Sequence, residues 1–160
     1  MSMMDSSFKK IAVIGAGTMG SGIAAQIANA GHDVLLLDLP AKHADTPSPA
    51  KRAIERLLAS DPPQLMHKRN ASRIITGTIT DDFDRLADCD WIIEAVVERL
   101  DIKKDLYQRL DAVIGPDCIV SSNTSTIPIR LLVEDMPSAF RRRFAITHYF
   151  NPVRYMLLLE

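Results

Sequence analysis

The chain has 160 residues, 47% hydrophobic and 24% charged, which is the size of one domain with enough apolar matter for a core. Its formal net charge of −1 gives no electrostatic case for nucleic acid or an anionic membrane as partner. No apolar run is long enough to span a bilayer, and the N-terminal MSMMDSSFKK lacks the apolar core of a signal peptide. Cys89 and Cys118 lie beside expected buried strands without metal-ligand spacing. They read as reduced core thiols of a cytoplasmic protein, and no metal site is expected.

The stretch from Lys10 to Asp38 organises the rest. Ile11 to Ile14 is a short β-branched run suited to a buried parallel strand. Gly15, Gly17 and Gly20 follow at G-x-G-x-x-G spacing, a helix is expected from Thr18 to Ala30, and Gly31 stops it. A second strand, Val34 to Leu37, ends in Asp38. Gly15 permits a tight turn, Gly17 lets the backbone approach a pyrophosphate, and Gly20 lets helix and strand pack closely. The free N–H groups at the helix start, from Thr18 and Met19 onward, attract phosphate. Asp38 follows Gly20 by 18 residues, near the offset of an acid that binds an adenosine ribose. Its carboxylate would accept from both ribose hydroxyls and repel a 2′-phosphate, which favours NAD over NADP. Strand, turn, helix, second strand and terminal acid in order make the motif far more specific than its glycines alone.

From Leu39 to Arg73 the chain is least regular. A short helix is expected from Ala50 to Ala59, with Ile54, Leu57 and Leu58 on one face, before Asp61-Pro62-Pro63 breaks it. Lys51, Arg52, Arg56, Lys68, Arg69 and Arg73 cluster here. They read as a solvated face, or else as an arm that meets the phosphates of a bulky substrate. Ile74 to Ile79 reads as a third strand, and Thr80-Asp81-Asp82 as the start of a short helix through Leu86. Trp91 to Ile93 is a fourth strand ending at Glu94. Asp101 is expected to cap a helix with Leu106, Leu110 and Val113 on one side, ended by Gly115-Pro116. Ile119 to Ser121 is a fifth strand, Phe144 to Thr147 a sixth leading into His148, and Met156 to Leu159 a last one closed by Glu160. Such alternation predicts an α/β fold: a Rossmann-type doubly wound, mostly parallel sheet in three α/β/α layers, with a helical excursion after the second strand. Ligands bind beyond the carboxyl ends of such strands, where Glu94, Glu98 and Asn123 fall. The polar run Ser121 to Thr126 directly after a buried strand belongs in that crevice. A histidine followed by an acid at the end of the next strand suits a base with its orienting partner.

Four motifs in order, GAGTMGSGIA (15–24), EAVVERLDIKK (94–104), SSNTS (121–125) and HYFNPVRYMLLLE (148–160), resemble the NAD-binding domain of the L-3-hydroxyacyl-CoA dehydrogenase family. The likeness runs from about Lys9 to Glu160, and its phrasing is nearest to bacterial multifunctional forms, some with an enoyl-CoA hydratase domain downstream. It implies one domain over 1–160, with 39–73 as its excursion. It implies hydride transfer between the C3 hydroxyl of an (S)-3-hydroxyacyl-CoA and NAD in fatty-acid beta-oxidation. By position, Gly15, Gly17 and Gly20 match the phosphate turn and Asp38 the ribose acid. Glu98 and Lys103 match residues near the nicotinamide half of the cofactor. His148 matches the catalytic base, Glu160 its paired acid, and Ser125 a hydroxyl that touches both substrate and cofactor. Asn123 and Asn151 match cofactor contacts. The family also has a C-terminal helical domain that closes the site, forms the dimer and supplies another asparagine. The expectation is therefore a fragment that binds NAD with weak or no dehydrogenase activity, with Glu160 frayed. No role follows for Arg154.

The chemistry suits these residue types. Imidazole titrates near neutrality and can take or return the alcohol proton, while a carboxylate holds the ring in one tautomer. Two other readings stand beside this one. One is the cofactor domain of another two-domain NAD-dependent hydroxy-acid dehydrogenase, whose base is a lysine further along. The other is a non-catalytic NAD-binding module.

Overall fold

The computed structural model describes residues 8–160, so most of the N-terminal stretch read above for a signal peptide lies outside the described residues. In chain order the elements are β1 (Ile11–Ile14), α1 (Thr18–Asn29), β2 (Val34–Asp38), α2 (Pro49–Ala59), β3 (Ile74–Thr78), β4 (Trp91–Glu94), α3 (Leu100–Asp111), β5 (Ile119–Ser122), α4 (Ile129–Val133), α5 (Ser138–Arg141) and β6 (Phe144–Ile146). All six strands are parallel, in the order β3-β2-β1-β4-β5-β6. The strand order reverses between β1 and β4, and a crevice opens there because the chain leaves the two strands toward opposite faces.

Side chains alternate across each strand, so β1 feeds both faces of the sheet. Ala12 and Ile14 join Ile92, Val120, Leu106, Leu110 and Phe140 on the face covered by α3, α4 and α5. Ile11 and Val13 join Ile23, Ile27, Leu36, Leu57 and Ile93 on the face covered by α1 and α2. Two cores on one sheet give the three expected layers. Tyr107, Phe140 and Phe144 stack in the first core with ring centroids 5.0 to 6.0 Å apart. Both cysteines are free and buried, and burial pushes their thiols up to about 11 for Cys89 and about 12 for Cys118. That makes them inert at neutral pH.

Several local expectations need correction. The buried side of α2 is Ala50, Ala53 and Leu57, while Leu58 faces solvent; small residues let this helix lie close to α1. The hydroxyl of Ser48 caps it, accepting from Lys51 N at 3.4 Å. Asp101 does not cap α3. The cap position is Arg99, and Asp101 is the second residue of the helix, in its first turn, paired with the Arg99 guanidinium at 2.5 Å. The helix expected after Thr80 is a 3-10 turn, Phe83–Asp88, and the Asp82 carboxylate accepts from Thr78 N instead of capping it. Lys68–Arg73 forms another 3-10 turn. Met156 to Leu159 is not a strand but makes a single antiparallel bridge, Tyr149 with Leu159, because no extended neighbour runs alongside. Helices α4 and α5 were not anticipated. At five and four residues they are too short to show a helical period, and they are held by burial of Leu132, Val133 and Phe140.

Lys51, Arg52, Arg56, Lys68, Arg69 and Arg73 are all exposed, as a solvated face requires. Two of them are tied: Arg73 pairs with Asp33 at 3.0 Å, and Arg56 donates to the Ala16 carbonyl at 2.7 Å. Arg154 acquires a structural part. Its guanidinium donates to the carbonyls of Pro63 (2.6 Å) and Leu65 (3.2 Å), and the Tyr155 hydroxyl donates to Pro63 O at 2.7 Å. Together they bind the C-terminal segment to the excursion.

β4 ends in a carboxylate with no access to water. Glu94 accepts from Lys103 Nζ, the Tyr107 hydroxyl and the Ser122 hydroxyl, each at 2.6 Å, and from Val96 N at 2.9 Å. Lys103 is buried as deeply, and its ammonium also lies 3.4 Å from Glu98. The Tyr107 phenol is pushed up by burial and by the Glu94 charge, so it stays a donor. Breaking such a pair leaves an uncompensated buried cation. We expect Glu94→Ala to destabilise the fold by on the order of 3 kcal/mol, the lower end for a buried pair because Glu98 stays near. Lys104→Met, which removes two surface ion pairs, to Glu134 and Asp135, should barely move the transition. Urea unfolding followed by circular dichroism checks both, and equal midpoints for Glu94→Ala and the parent would refute the first.

Candidate active site

The crevice begins at the glycine turn. Gly15 has φ +103°, and a Cβ there would lie 2.4 Å from the Ala95 carbonyl oxygen. A Cβ on Gly20 would lie 1.7 Å from Gly15 O. Both positions therefore demand glycine, one for backbone conformation and close approach, the other for helix–turn packing. Gly17 differs, since a Cβ there meets nothing within 4 Å. Its outer side is open, and the first turn of α1 has neither a side-chain cap hydrogen bond nor an acidic residue of its own. An uncapped helix start with open space before it fits a diphosphate.

Asp38 lies beside this turn. One carboxylate oxygen accepts from Ala16 N at 2.5 Å and the other from Leu39 N at 2.6 Å. These bonds fix its orientation, and each oxygen keeps a free lone pair for a hydroxyl. Asp38 also lines a cavity of about 350 Å³ with Gly15, Gly17, Leu39, Ile79, Val97, Ile102 and Leu106. This mostly apolar slot lies just beyond the anchored Asp38 carboxylate and is wide enough for a flat ring.

A second cavity of about 350 Å³ lies on the other side of Ala95 and Val96. It is lined by Met19, Glu98, Lys103, Asn123, Ser125, His148, Tyr149, Phe150 and Asn151. Most of the residues singled out from the sequence thus line one of two adjoining cavities that share walls at Ala95 and Val96. Burial works against the charge of Glu98. The Thr124 hydroxyl, the Lys103 ammonium and the Thr126 hydroxyl outweigh it and hold the Glu98 carboxyl below its usual pKa. Lys103 is clamped between Glu94 and Glu98 at the floor.

His148 Nδ1 lies 3.4 Å from Glu160 Oε2, and the ring packs on Phe150 at 4.5 Å between centroids. The two backbones exchange hydrogen bonds: His148 N donates to Glu160 O at 2.7 Å, and Glu160 N to His148 O at 3.2 Å. Glu160 is therefore held where fraying was expected. Asn123 accepts from Tyr149 N at 2.9 Å and donates its own N–H to Glu94 O at 2.8 Å. It straps the His148 segment to the end of β4. Ser125 and Asn151 are exposed in the cavity.

Glu94 is the one strand-end residue that the structure removes from the crevice: it points inward and acts through Lys103. Tyr107 and Ser122, its other partners, carried no functional reading. The legible signal was a lysine on the apolar side of α3, where the buried positions are Lys103, Leu106, Tyr107 and Leu110. A buried ammonium demands a buried carboxylate.

Residues 10–160 match the family model described as 3-hydroxyacyl-CoA dehydrogenase, NAD binding domain. A protein of Rickettsia felis described as a fatty acid oxidation complex trifunctional enzyme is 46% identical over 98% of this chain and 22% of its own. One of Deinococcus radiodurans, named as a 3-hydroxyacyl-CoA dehydrogenase, is 48% identical over 95% of this chain and 44% of its own. The crystal structure of 3-hydroxybutyryl-CoA dehydrogenase from Escherichia coli K12 superposes with a TM-score of 0.80 at 35% identity, covering 96% of this chain and 32% of that one. This chain thus spans less than half the length of these relatives. Glycine turn, parallel sheet and family model agree, and the chain belongs to the 3-hydroxyacyl-CoA dehydrogenase family as its NAD-binding domain.

Proposed function

We propose that this domain serves a dehydrogenase that oxidises the C3 hydroxyl of an (S)-3-hydroxyacyl-CoA in fatty-acid beta-oxidation. The observation that carries the reading is His148, backed by Glu160, in the same cavity as Ser125, Glu98 and Lys103, joined through Ala95 and Val96 to the phosphate turn. NAD bound along the crevice supplies the hydride acceptor. The free ring nitrogen of His148, Nε2, takes the alcohol proton. Glu160 faces Nδ1, sets the tautomer and stabilises the imidazolium that forms. The Ser125 hydroxyl holds the reacting oxygen near that nitrogen. Asn123 works by holding Tyr149, and so His148, in place. Asn151 and Met19 bound the nicotinamide end, while Gly15, Gly17, Thr18 and Gly20 cradle the diphosphate and Asp38 takes the ribose.

Residues 1–160 form one domain of a longer enzyme, in which a helical domain covers the cavity and makes a dimer. A hydratase-like segment follows in the manner of multifunctional relatives; the Rickettsia felis relative's description as trifunctional supports that. The cytoplasm is the proposed compartment, since two free, buried thiols suit reducing conditions. A dehydrogenase with a lysine base further along is disfavoured, because His148, backed by Glu160, already stands as a base in this cavity.

In the full-length enzyme, His148→Gln is expected to leave NAD affinity within about twofold and to cut turnover of acetoacetyl-CoA with NADH by on the order of a thousandfold. Equal turnover would remove His148 from its role. Asp38→Ser should weaken NAD binding by about tenfold and strengthen NADP binding, since one charge-assisted hydrogen-bond acceptor and one repulsive charge disappear together. Titration calorimetry reads both constants. Unchanged selectivity would show that Asp38 does not contact the ribose.

A further inference from the structure

The apolar slot past Asp38 carries, among the described residues, a carboxylate without a side-chain partner at its rim. Leu39 and Val97 stand at its mouth, 60% and 59% exposed, and Ile79, Ile102 and Leu106 line its interior. Two exposed apolar side chains on the lips of a slot are what a flat aromatic ring would cover. At the rim, one helical turn past Ile102, sits Asp105. Among the described residues its carboxylate has no ion-pair or side-chain hydrogen-bond partner. The nearby cation is engaged elsewhere: the Arg109 guanidinium lies 4.3 Å from the centroid of the Phe83 ring and donates to Ile79 O at 3.1 Å.

We propose that Asp105 reads the purine of the dinucleotide, accepting a hydrogen bond from the exocyclic amino group of adenine. This rests on the NAD-binding reading of the crevice and adds the choice of base to it. The order along the cleft demands a base here, because the diphosphate lies at Gly17 and the ribose at Asp38. Apolar walls alone would hold any purine, since every base has an apolar face. A carboxylate acceptor at the rim separates them, because adenine presents a donor at position 6 while hypoxanthine and guanine present a carbonyl oxygen. That oxygen placed against Asp105 would set two acceptors against each other without a proton between them. Hydrogen-bonding sites reject an analogue that lacks the matching group far better than apolar ones do.

The test is titration of the 160-residue chain with NAD and with nicotinamide hypoxanthine dinucleotide, whose purine carries a carbonyl in place of the position-6 amino group and a proton on N1. The parent is expected to prefer NAD by about tenfold, the effect of one hydrogen bond to a charged acceptor. Asp105→Ala should lower that preference to within about twofold, while circular dichroism stays unchanged, because alanine suits an exposed helix position. Asp105→Asn gives a readout that a structural role would not move. Its amide turns to donate to the hypoxanthine carbonyl, so the preference levels or reverses. A parent that binds both dinucleotides alike overturns the assignment, as does Asp105→Ala retaining the parent's preference. A folded parent that binds neither overturns the dinucleotide reading itself and this assignment with it, an outcome distinct from equal binding of both.

Discussion

A single carboxylate without water joins the parts of this domain. Glu94 ends the strand at which the sheet order reverses, and its oxygens reach α3 through Lys103 and Tyr107, β5 through Ser122, and the following loop through Val96. Isolated, such a charge would be too costly to bury. Paired and with four donors it is tolerated, and the geometry those donors require leaves little freedom to any of them. Buried ion pairs are a weak source of net stability. The consequence here is positional: sheet, helix and loop share one fixed point directly under the cofactor crevice.

From that point the site is assembled in two directions. Lys103 leans from Glu94 toward Glu98, so the floor of the nicotinamide-side cavity carries an ordered set of charges. On the other side of Ala95 and Val96 the slot is apolar, bounded by the anchored carboxylate of Asp38. The two halves differ in character, one lined by polar and charged side chains and the other mostly by apolar ones. The C-terminal segment is fixed by separate means, through Asn123 to Tyr149 and through Arg154 and Tyr155 to the excursion. The irregular stretch after β2 thus supports the histidine's segment from outside the sheet. A run of loop residues and a run near the C-terminus, unrelated in sequence, depend on each other.

What the linear order of residues determined is what short-range physics controls. β-Branched runs make strands wherever they stand, Gly15 must be glycine because of its own φ, and an acid at the end of β2 sits beside the turn because parallel strands bring carboxyl ends together. The fold, the glycine turn and the acid beside it were legible on those grounds, whereas Lys103, Ser125 and Asn151 were singled out only by the family resemblance. What only the tertiary structure decided depends on which surfaces meet. Glu94 looked like a crevice residue and is a buried anchor, because α3 lays Lys103 and Tyr107 over it. Met156 to Leu159 has the composition of a strand and is not one, because a strand needs an extended neighbour. Arg154 was opaque until the loop that its guanidinium holds lay within reach, 89 to 91 residues away in sequence, a separation that no local pattern encodes.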